Sequence, residues 1–359
     1  MNRSQILATI GLLAVLAAAV LWMLQREDAG STGFNQQKAT ATTQPQAAIV
    51  SNHPMAGVLL IPNNSAMSPT LSKHPNQILP TTTANSKPNI TPAGLERLRL
   101  ILTSGGSVGF ADRVSDIRSI QAGLTTSEIE AFTHYLQAPV RDSERSDGEN
   151  WLRNTMLDAL VQQRTLVPGL AGSLVAIYQD TSQDPVMRDY AIQHMAPIYE
   201  RVGSEEQAGL RNALWQATGE ADSGIAGTAL LALLTISETN PTVDQGGLAD
   251  TAFNLAADGN TSELTRITAV QVCARLGVQK ALPDIERLSQ QSPSMPLRIA
   301  ATAALGDYAM MNNNPGSADV ENLLTNLAQS SDSRQTVAAE AALRRIARAQ
   351  SSLARRTEP

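Results

Sequence analysis

The amino-acid sequence predicts an all-α protein, an α-solenoid of stacked antiparallel helix pairs that follows one transmembrane helix and a disordered linker. Three observations predict this class. Residues 6–24 carry no charge, residues 29–92 are rich in Pro, Thr, Asn, Gln and Ser, and the remainder repeats an amphipathic helical pattern about every 32–40 residues. Apolar residues make up 42% of the 359 residues but aromatic residues only 3%. A core of small aliphatic side chains favours packed helices.

Residues 1–25 are predicted to be an N-terminal membrane anchor. The 19 residues 6–24 at about 1.5 Å each span about 28 Å, close to the thickness of the hydrocarbon layer. Arg3 precedes this run, and Arg26, Glu27 and Asp28 follow it. The positive-inside rule therefore predicts a cytoplasmic N-terminus and an extracytoplasmic, periplasmic C-terminal domain.

Two alternatives to this topology stay open. Ala17-Ala18-Ala19 offers a signal-peptidase site, and cleavage there would still place the body of the protein outside the cytoplasm. The second alternative puts the body on the cytoplasmic side, because Arg3 is a single topological signal.

Residues 26–92 are predicted to be a disordered linker. Between residues 29 and 92 there are eight prolines, three lysines and no acidic residue. Such a segment buries too little apolar surface to offset its ordering entropy. The apolar island Val58-Leu59-Leu60-Ile61 is interpreted as incidental, with a docking segment as the alternative.

Three segments are predicted after the linker. Residues 93–147 form divergent N-terminal helices, residues 148–350 form the repeats, and residues 351–359 form a C-terminal tail.

Several helix starts are marked by capping residues. Thr91-Pro92 and Asp184-Pro185 each place an N-cap before a proline at the first helical position. Capping boxes are predicted at 125–128, 204–207 and 242–245.

A helical motif recurs in which an arginine is followed three residues later by alanine and four residues after that by an apolar residue. The best copies begin at Arg188, Arg266 and Arg298, and the copy at Arg153 has Met156 in place of alanine. The copies around Ala229 and Ala339 lack the arginine. We predict that each motif helix is the first of a hairpin, followed by second helices near residues 168, 209, 248, 282 and 320.

The R-x-x-A-x-x-x-[LMC] helix, followed by a helix such as residues 281–288, resembles HEAT repeats, in particular bacterial HEAT-like repeats related to those of phycobilisome lyases. Five or six copies cover residues 148–350. The resemblance implies a curved protein-interaction scaffold and carries over no activity. The predicted function is a membrane-tethered, non-catalytic scaffold for protein–protein interaction in the cell envelope. The alternative, a lyase-like or prosthetic-group-handling enzyme, is implied only by the resemblance.

No catalytic, cofactor-binding or metal-ligating residue is predicted. His53, His74, His134 and His194 show no metal-ligand spacing, and His134 is interpreted as a helix-surface or interfacial residue. Cys273 occupies the apolar position of the motif and is predicted to be buried and unreactive.

Two loops superficially resemble binding motifs. Gly105–Gly109 lacks the Lys-Ser/Thr of a phosphate loop and is predicted to be a helix-breaking turn. Asp180–Asp184 begins like a calcium loop, but Pro185 stands where that loop needs glycine. An inter-helix turn with Asp184 as N-cap is predicted instead.

The charge distribution speaks against nucleic acid as a partner, and the protein partner is implied by the resemblance. The chain has a net charge of −6, and residues 93–359 hold 22 basic and 31 acidic side chains. The sequence identifies neither the partner nor a small-molecule substrate. A C-terminal group of arginines is interpreted as favourable to the helix dipole, with an acidic partner or anionic lipid as the alternative. These arginines are Arg344, Arg345, Arg348, Arg355 and Arg356.

Overall fold

The computed structural model describes residues 101–102, 109–138, 147–311 and 317–357. The predicted anchor, the linker and Thr91-Pro92 lie outside these ranges. Within them there are thirteen α-helices and no β-strand. The helices are α1 Phe110–Ile120, α2 Thr126–Gln137, α3 Asp147–Val161, α4 Leu170–Gln179, α5 Pro185–Tyr199, α6 Ser204–Ala217, α7 Ile225–Ser237, α8 Gln245–Ala257, α9 Glu263–Arg275, α10 Leu282–Gln291, α11 Met295–Met310, α12 Ser317–Leu327 and α13 Ser333–Thr357.

The helices form two layers. The odd-numbered helices pack one against the next in chain order from α1 to α13, and each even-numbered helix packs against the following odd-numbered helix. In the even layer, α2 packs on α4 and α4 on α6. Hairpins stacked in chain order form an α-solenoid, so the predicted all-α fold class is confirmed.

The hairpins begin one helix earlier than we predicted. The motif helices are α3, α5, α7, α9, α11 and α13, and each pairs mainly with the even helix before it. For example, α10 packs mainly against α11, although the sequence order suggested pairing with α9. The motif helices α3 to α9 are therefore the second helices of their hairpins, whereas α11 packs against both α10 and α12, and the predicted pairing of α11 with α12 is present.

The recurring alanine lies where odd helices meet. Ala191, Ala229, Ala269, Ala301 and Ala339 are all fully buried, as is Met156 at the same position of α3. A methyl side chain lets neighbouring helix axes approach closely. The apolar residues predicted for the second helices, such as Leu174, Leu214 and Ile285, are also buried.

The predicted caps are confirmed at two helices and wrong at two others. Thr125 and Glu128 form the capping box of α2, and Asp184 caps α5 with Pro185 at its first turn. Gly203 is the N-cap of α6, and Asp244 caps α8 by accepting from Gly246 N.

The glutamines of the two incorrectly predicted capping boxes, Gln207 and Gln245, bond elsewhere. Their side chains donate to Tyr199 O at 3.0 Å and Ser237 O at 3.1 Å. These oxygens belong to the last residues of the preceding helices, whose carbonyl groups lack donors within the helix.

Several turns from even to odd helices share a hydrogen bond in which a side-chain oxygen accepts from the backbone N–H two residues later. Asp180 Oδ1 accepts from Ser182 N at 3.0 Å, Asp258 Oδ1 from Asn260 N at 2.9 Å, and Ser292 Oγ from Ser294 N at 3.3 Å. These bonds between residues two positions apart reverse the chain before the next helix. The loop at Asp180 is thus the predicted inter-helix turn.

At the C-terminus, α13 continues through the predicted tail as far as Thr357. The sequence Ser-Ser-Leu-Ala-Arg-Arg contains no glycine or proline to end the helix.

Candidate interaction surface

One side of the odd-numbered helices is left uncovered by the packing. From α3 to α11, each odd helix is covered by an even helix on one side and by its odd neighbours on two others, and α13 is covered by α11 and α12. We call the remaining side the odd-layer face. It is defined by the exposed or half-buried residues Trp151, Asn154, Asp158, Val186, Asp189, Tyr190, Gln193, Thr228, Leu231, Thr235, Glu238, Leu264, Ile267, Thr268, Gln271, Arg275, Pro296, Ile299, Ala303, Asp307, Val337, Ala341 and Arg345.

The N-terminal halves of three odd helices, α3, α9 and α13, each place one exposed apolar side chain on this face. Among the described residues, four large apolar side chains are exposed, namely Trp151 (39%), Leu264 (43%), Val337 (47%) and Met311 (39%). The first three lie on the odd-layer face. Apolar side chains concentrated on one side of a soluble domain are typical of interaction sites.

The C-terminal halves of the later odd helices carry a row of alternating charges. Arg275 contacts Glu238 at 2.5 Å, and Arg345 contacts Asp307 at 2.9 Å. Burial raises the pKa of Asp307, while the positive charges of Arg345 and Arg275 act in the opposite direction. This row joins α7, α9, α11 and α13 and is neutralised internally.

The earlier helices α3 and α5 hold the carboxylates of Asp158 and Asp189 on this face. Burial raises the pKa of both groups, while the positive charge of Arg118 acts in the opposite direction on Asp158, and hydrogen bonds from Thr228 and Gln193 do so on Asp189. The side chain of Asp158 lies 3.7 Å from His194 Nε2. Gln193 donates to Asp189 Oδ2 at 2.9 Å, Thr228 is a second hydrogen-bond partner of this carboxylate, and Asp189 Oδ1 is enclosed in the fold.

His194 is the histidine that the structure places among other polar groups. Its Nε2 atom lies 2.9 Å from Asn154 Oδ1. Burial lowers its pKa to about 4, so the ring is neutral at pH 7. No local sequence pattern predicts this contact, because Asn154 and His194 are 40 residues apart. His134, by contrast, is exposed on α2 as expected.

The recurring arginines bind the ends of the preceding helices. Arg188 Nε donates to Tyr178 O at 2.7 Å, Arg266 Nε to Ala256 O at 3.4 Å, and Arg153 Nη1 to Ala138 O at 3.0 Å. Each oxygen lies at the C-terminus of the even helix in the same hairpin, where a positive charge is favourable. The motif arginine thus ties the two helices of a hairpin together.

The structure contains a further copy of this arginine that was not predicted from the sequence. Arg113 in α1 is 2% exposed, and its Nε donates to Ile101 O at 2.6 Å. Its helix has Asp116 where the motif has alanine, which concealed the copy. The spacing of 40 residues between Arg113 and Arg153 was the available signal. Arg298 departs from the pattern, because its Nε atom is buried without a partner.

A polar network joins the first three helices. Tyr135 Oη donates to Glu149 Oε1 at 2.7 Å, Arg153 pairs with Glu149 at 2.9 Å, and Arg113 reaches Tyr135 Oη at 3.4 Å. Burial, followed by the hydrogen bond to Glu149, raises the pKa of Tyr135 to about 12. These groups are held in a structural network that couples α1, α2 and α3.

Other candidates from the sequence have structural roles. Cys273 is fully buried, and burial raises the pKa of its thiol to about 12, as expected for an unreactive core residue. Gly109 is the N-cap of α1, and the rest of Gly105–Gly109 lies outside the described residues. Arg345 pairs with Asp307, and Arg344 contacts Glu340 at 3.2 Å.

Within the part of the chain that the structure describes, no group of three or more histidine, cysteine, aspartate or glutamate side chains is arranged to hold a metal ion. In the same ranges, no helix is long and apolar enough to cross a membrane.

Comparisons with known proteins show similarity to solved helical structures. No protein-family model matches the chain, and no curated protein matches it. An engineered protein is 17% identical, with a TM-score of 0.38, over 71% of this chain and 97% of its own. Human deoxyhypusine hydroxylase in complex with glycerol is 15% identical, with a TM-score of 0.32, over 69% and 93%.

A karyopherin bound to a SUMO protease is 14% identical, with a TM-score of 0.41, over 71% of this chain and 29% of the karyopherin. Similarity at this level transfers neither activity nor partners. The assignment as an α-solenoid therefore rests on the helix packing of this chain.

Proposed function

We propose that this protein is a non-catalytic, HEAT-like scaffold that binds another protein through the odd-layer face. The observation that carries the proposal is that three of the four large apolar side chains exposed among the described residues, Trp151, Leu264 and Val337, lie on this one face. Trp151 and Leu264 project from helices that are packed on three sides, and Val337 projects from α13, which packs against α11 and α12. A rigid, extended surface of this kind is suited to binding a partner without chemistry.

We further propose that residues 6–24 tether the scaffold to a membrane and that the solenoid lies outside the cytoplasm. The uncharged run and the charges that flank it support this topology. Replacing Ser65→Cys and treating intact cells with a membrane-impermeant maleimide tests it. Labelling without cell lysis is expected, whereas labelling only after lysis would place the body in the cytoplasm.

The interaction is tested by crosslinking from single introduced cysteines. Cys273 is buried, so a benzophenone-maleimide reacts with the introduced residue. Leu264→Cys places the probe on the odd-layer face, and Asn254→Cys places it on an exposed position of α8 in the even layer. The full-length protein is labelled and irradiated in native membranes.

A reproducible protein adduct is expected from Leu264→Cys and not from Asn254→Cys. The same adduct formed from Thr268→Cys is expected to be lost when Leu264→Asp is added, because a carboxylate disrupts apolar contact. Equal adducts from both layers, or none that reproduces, would contradict binding through this face.

A further inference from the structure

We infer that the partner protein presents acidic side chains to the C-terminal half of α13, next to the apolar contact that Val337 offers. This inference rests on the proposed function and adds the charge of the partner segment where it crosses α13. It follows from positive charge on α13 that neighbouring carboxylates in the described ranges neutralise only in part.

The C-terminal half of α13 is basic in a chain whose net charge is −6. Residues 341–357 hold five arginines and no aspartate or glutamate. Several of these arginines lie at spacings where like charges repel on a helix, since Arg344 and Arg348 are four residues apart and Arg345 and Arg348 are three apart. A surface that served solubility alone needs no such concentration of one sign. The arrangement favours a ligand that brings negative charge.

The carboxylates nearest to these arginines leave part of the positive charge accessible. Arg345 contacts Asp307 at 2.9 Å. Arg344 contacts Glu340 at 3.2 Å, but 58% and 50% of these two side chains are exposed, so water and salt screen the pair. Arg348 is exposed, and no carboxylate in the described ranges forms an ion pair with it. Arg344 and Arg348 are therefore the groups that an anionic ligand can reach.

The helix dipole accounts for only part of this charge. Favourable interaction of a cation with the dipole is confined to the last turn of a helix. Because α13 ends at Thr357, its last turn contains Arg355 and Arg356. Arg344 and Arg348 lie more than two turns before that end, where the dipole contributes little.

Arg344 and Arg348 continue the line of Val337 and Ala341, which belong to the odd-layer face. Spacings of four, three and four residues place the following residues on one side of α13: Val337, Ala341, Arg344 and Arg348. Along the helix axis, the two arginines lie about 10 Å and about 16 Å from Val337. A partner segment with acidic residues beside an apolar residue can therefore contact the basic and the apolar parts of this line together.

An anionic membrane is the competing class of partner for a basic helix. A helix that lies on a membrane inserts an apolar face among the lipids. The apolar side of α13 is instead buried against α11 and α12, where Ala339, Ala342 and Ile346 are at most 3% exposed. These observations favour an acidic protein segment, and binding to lipid is one outcome of the test.

The test measures peptide binding to the full-length protein in phosphatidylcholine nanodiscs by fluorescence anisotropy. The first probe is a short peptide with glutamates in one half and leucines in the other half. The second probe has lysine in place of every glutamate. The protein variants are R344Q/R348Q, which removes two charges, R344K/R348K, which keeps them, and R164Q/R287Q, which removes two charges from exposed positions outside the odd-layer face.

The glutamate peptide is expected to bind R344Q/R348Q about tenfold more weakly than the unmodified protein, and R164Q/R287Q less than about twofold more weakly. Binding to R344K/R348K is expected to stay within about threefold of the unmodified protein, because lysine keeps the positive charge. The lysine peptide is expected to bind the unmodified protein at least about tenfold more weakly than the glutamate peptide does.

Four results would overturn the inference. They are equal losses in R344Q/R348Q and R164Q/R287Q, a loss in R344K/R348K as large as in R344Q/R348Q, equal binding of the two peptides, and no binding of the glutamate peptide.

A second measurement distinguishes an acidic protein segment from a lipid surface. Phosphatidylglycerol vesicles are floated with the full-length protein in phosphatidylcholine nanodiscs. The unmodified protein and R344Q/R348Q are expected to float with the vesicles to the same small extent. Co-flotation that requires Arg344 and Arg348, together with no binding of the glutamate peptide, would assign this charge to a lipid surface and overturn the inference.

Two controls separate this inference from misfolding and from the proposed function. Thermal unfolding of R344Q/R348Q is expected at or above the temperature of the unmodified protein, because repulsion between like charges is removed. Leu264→Asp is expected to weaken binding of the glutamate peptide through its leucine half. If the crosslink from Leu264→Cys forms while the charge tests fail, the proposed function stands and only the acidic character of the partner segment is wrong.

Discussion

Two buried threonines at the start of α9 show how one hydroxyl can have opposite effects on stability. Thr261 is 4% exposed, and its Oγ1 atom is buried without a partner. Thr265 is fully buried, but its Oγ1 donates to Ser223 O at 2.6 Å and accepts from Gly227 N at 3.2 Å. No hydrogen bond compensates the burial of the Thr261 hydroxyl, whereas the Thr265 hydroxyl links α9 to α7.

Thr261→Val is expected to raise the free energy of unfolding by about 1 kcal/mol, because it removes a desolvated hydroxyl at nearly constant shape. Thr265→Val is the matched control and is expected to lower it by about 1–3 kcal/mol, since it leaves Gly227 N and Ser223 O unpaired. Urea unfolding of both variants decides the matter. Shifts of the same sign would contradict this account of the hydroxyls.

His194 makes the free energy of unfolding depend on pH. Its pKa is about 4 in the folded protein and about 6.5 when unfolded. The unfolded state therefore binds the proton more readily. The full contribution of the neutral His194 ring to the free energy of unfolding is present above pH 6.5 and is lost as the pH falls towards 4. The pKa values of Asp158, Asp189 and Asp307 are raised in the folded protein, so these groups increase the free energy of unfolding as the pH falls.

Because of these opposing groups, the prediction concerns the difference between the parent and His194→Gln. The parent is expected to lose about 2 kcal/mol relative to His194→Gln between pH 7.5 and pH 5. Urea unfolding at both pH values measures this. Parallel losses in the two proteins would show that His194 is not the responsible group.

At the scale of the helix, the motif arginine defines the hairpin. Arg188 donates to the last turn of α4, stacks 5.2 Å above the centre of the Tyr178 ring, and pairs with Glu220 at 2.7 Å. These contacts connect α5 to α4 and to the segment after α6. The arginine was recognisable from the sequence as a repeat marker, but its role depends on which helix end lies beside it.

Arg188→Ala is expected to destabilise the fold by about 2–3 kcal/mol, because it leaves Tyr178 O and Glu220 without a charged donor. Arg188→Lys is expected to recover less than half of this, since an ammonium group lacks the planar fork of the guanidinium. The exposed pair of Arg287 and Asp284 provides the control, with Arg287→Ala expected to cost less than about 0.5 kcal/mol. A loss for Arg188→Ala no larger than this control would contradict the capping role.

Much of the element structure was predictable from local sequence. The capping box at Thr125 and the Asp184-Pro185 start were correct because every interacting group lies within a few residues. The capping boxes predicted at Ser204 and Thr242 were wrong because the side chains of Gln207 and Gln245 donate to carbonyl oxygens of the preceding helices instead. The phase of the hairpins was wrong for a similar reason, since the strength of helix pairing is not encoded in chain order.

At the scale of the whole molecule, the solenoid transmits stability between neighbours only. Each odd helix contacts the ones before and after it, so a local defect is expected to loosen its own neighbourhood and leave distant hairpins intact. Gly306 lies at one such junction. A Cβ atom at Gly306 would lie 2.6 Å from Ala342 Cβ and 3.2 Å from Ala342 Cα.

Gly306→Ala is expected to lower the free energy of unfolding by about 1–2 kcal/mol, because overpacking outweighs the gain in helix propensity. In hydrogen exchange, amides of α11 to α13 are expected to lose protection while those of α4 to α7 keep theirs. Gly209→Ala is the matched control, since no atom lies within 4 Å of its new methyl group, and it is expected to stabilise α6. Uniform loss of protection along the chain would show that unfolding is global.

The sequence by itself determined the helical class, the recurrence of the motif and the buried positions of its alanines, because amphipathic periodicity and capping are local properties. Only the tertiary structure decided which helices pair, what the arginines bind, and that Asp158 and Asp189 share one face with Trp151 and Leu264. These residues come from helices that lie far apart in the chain. Their proximity is set by how close-packed helices stack, which no single segment encodes.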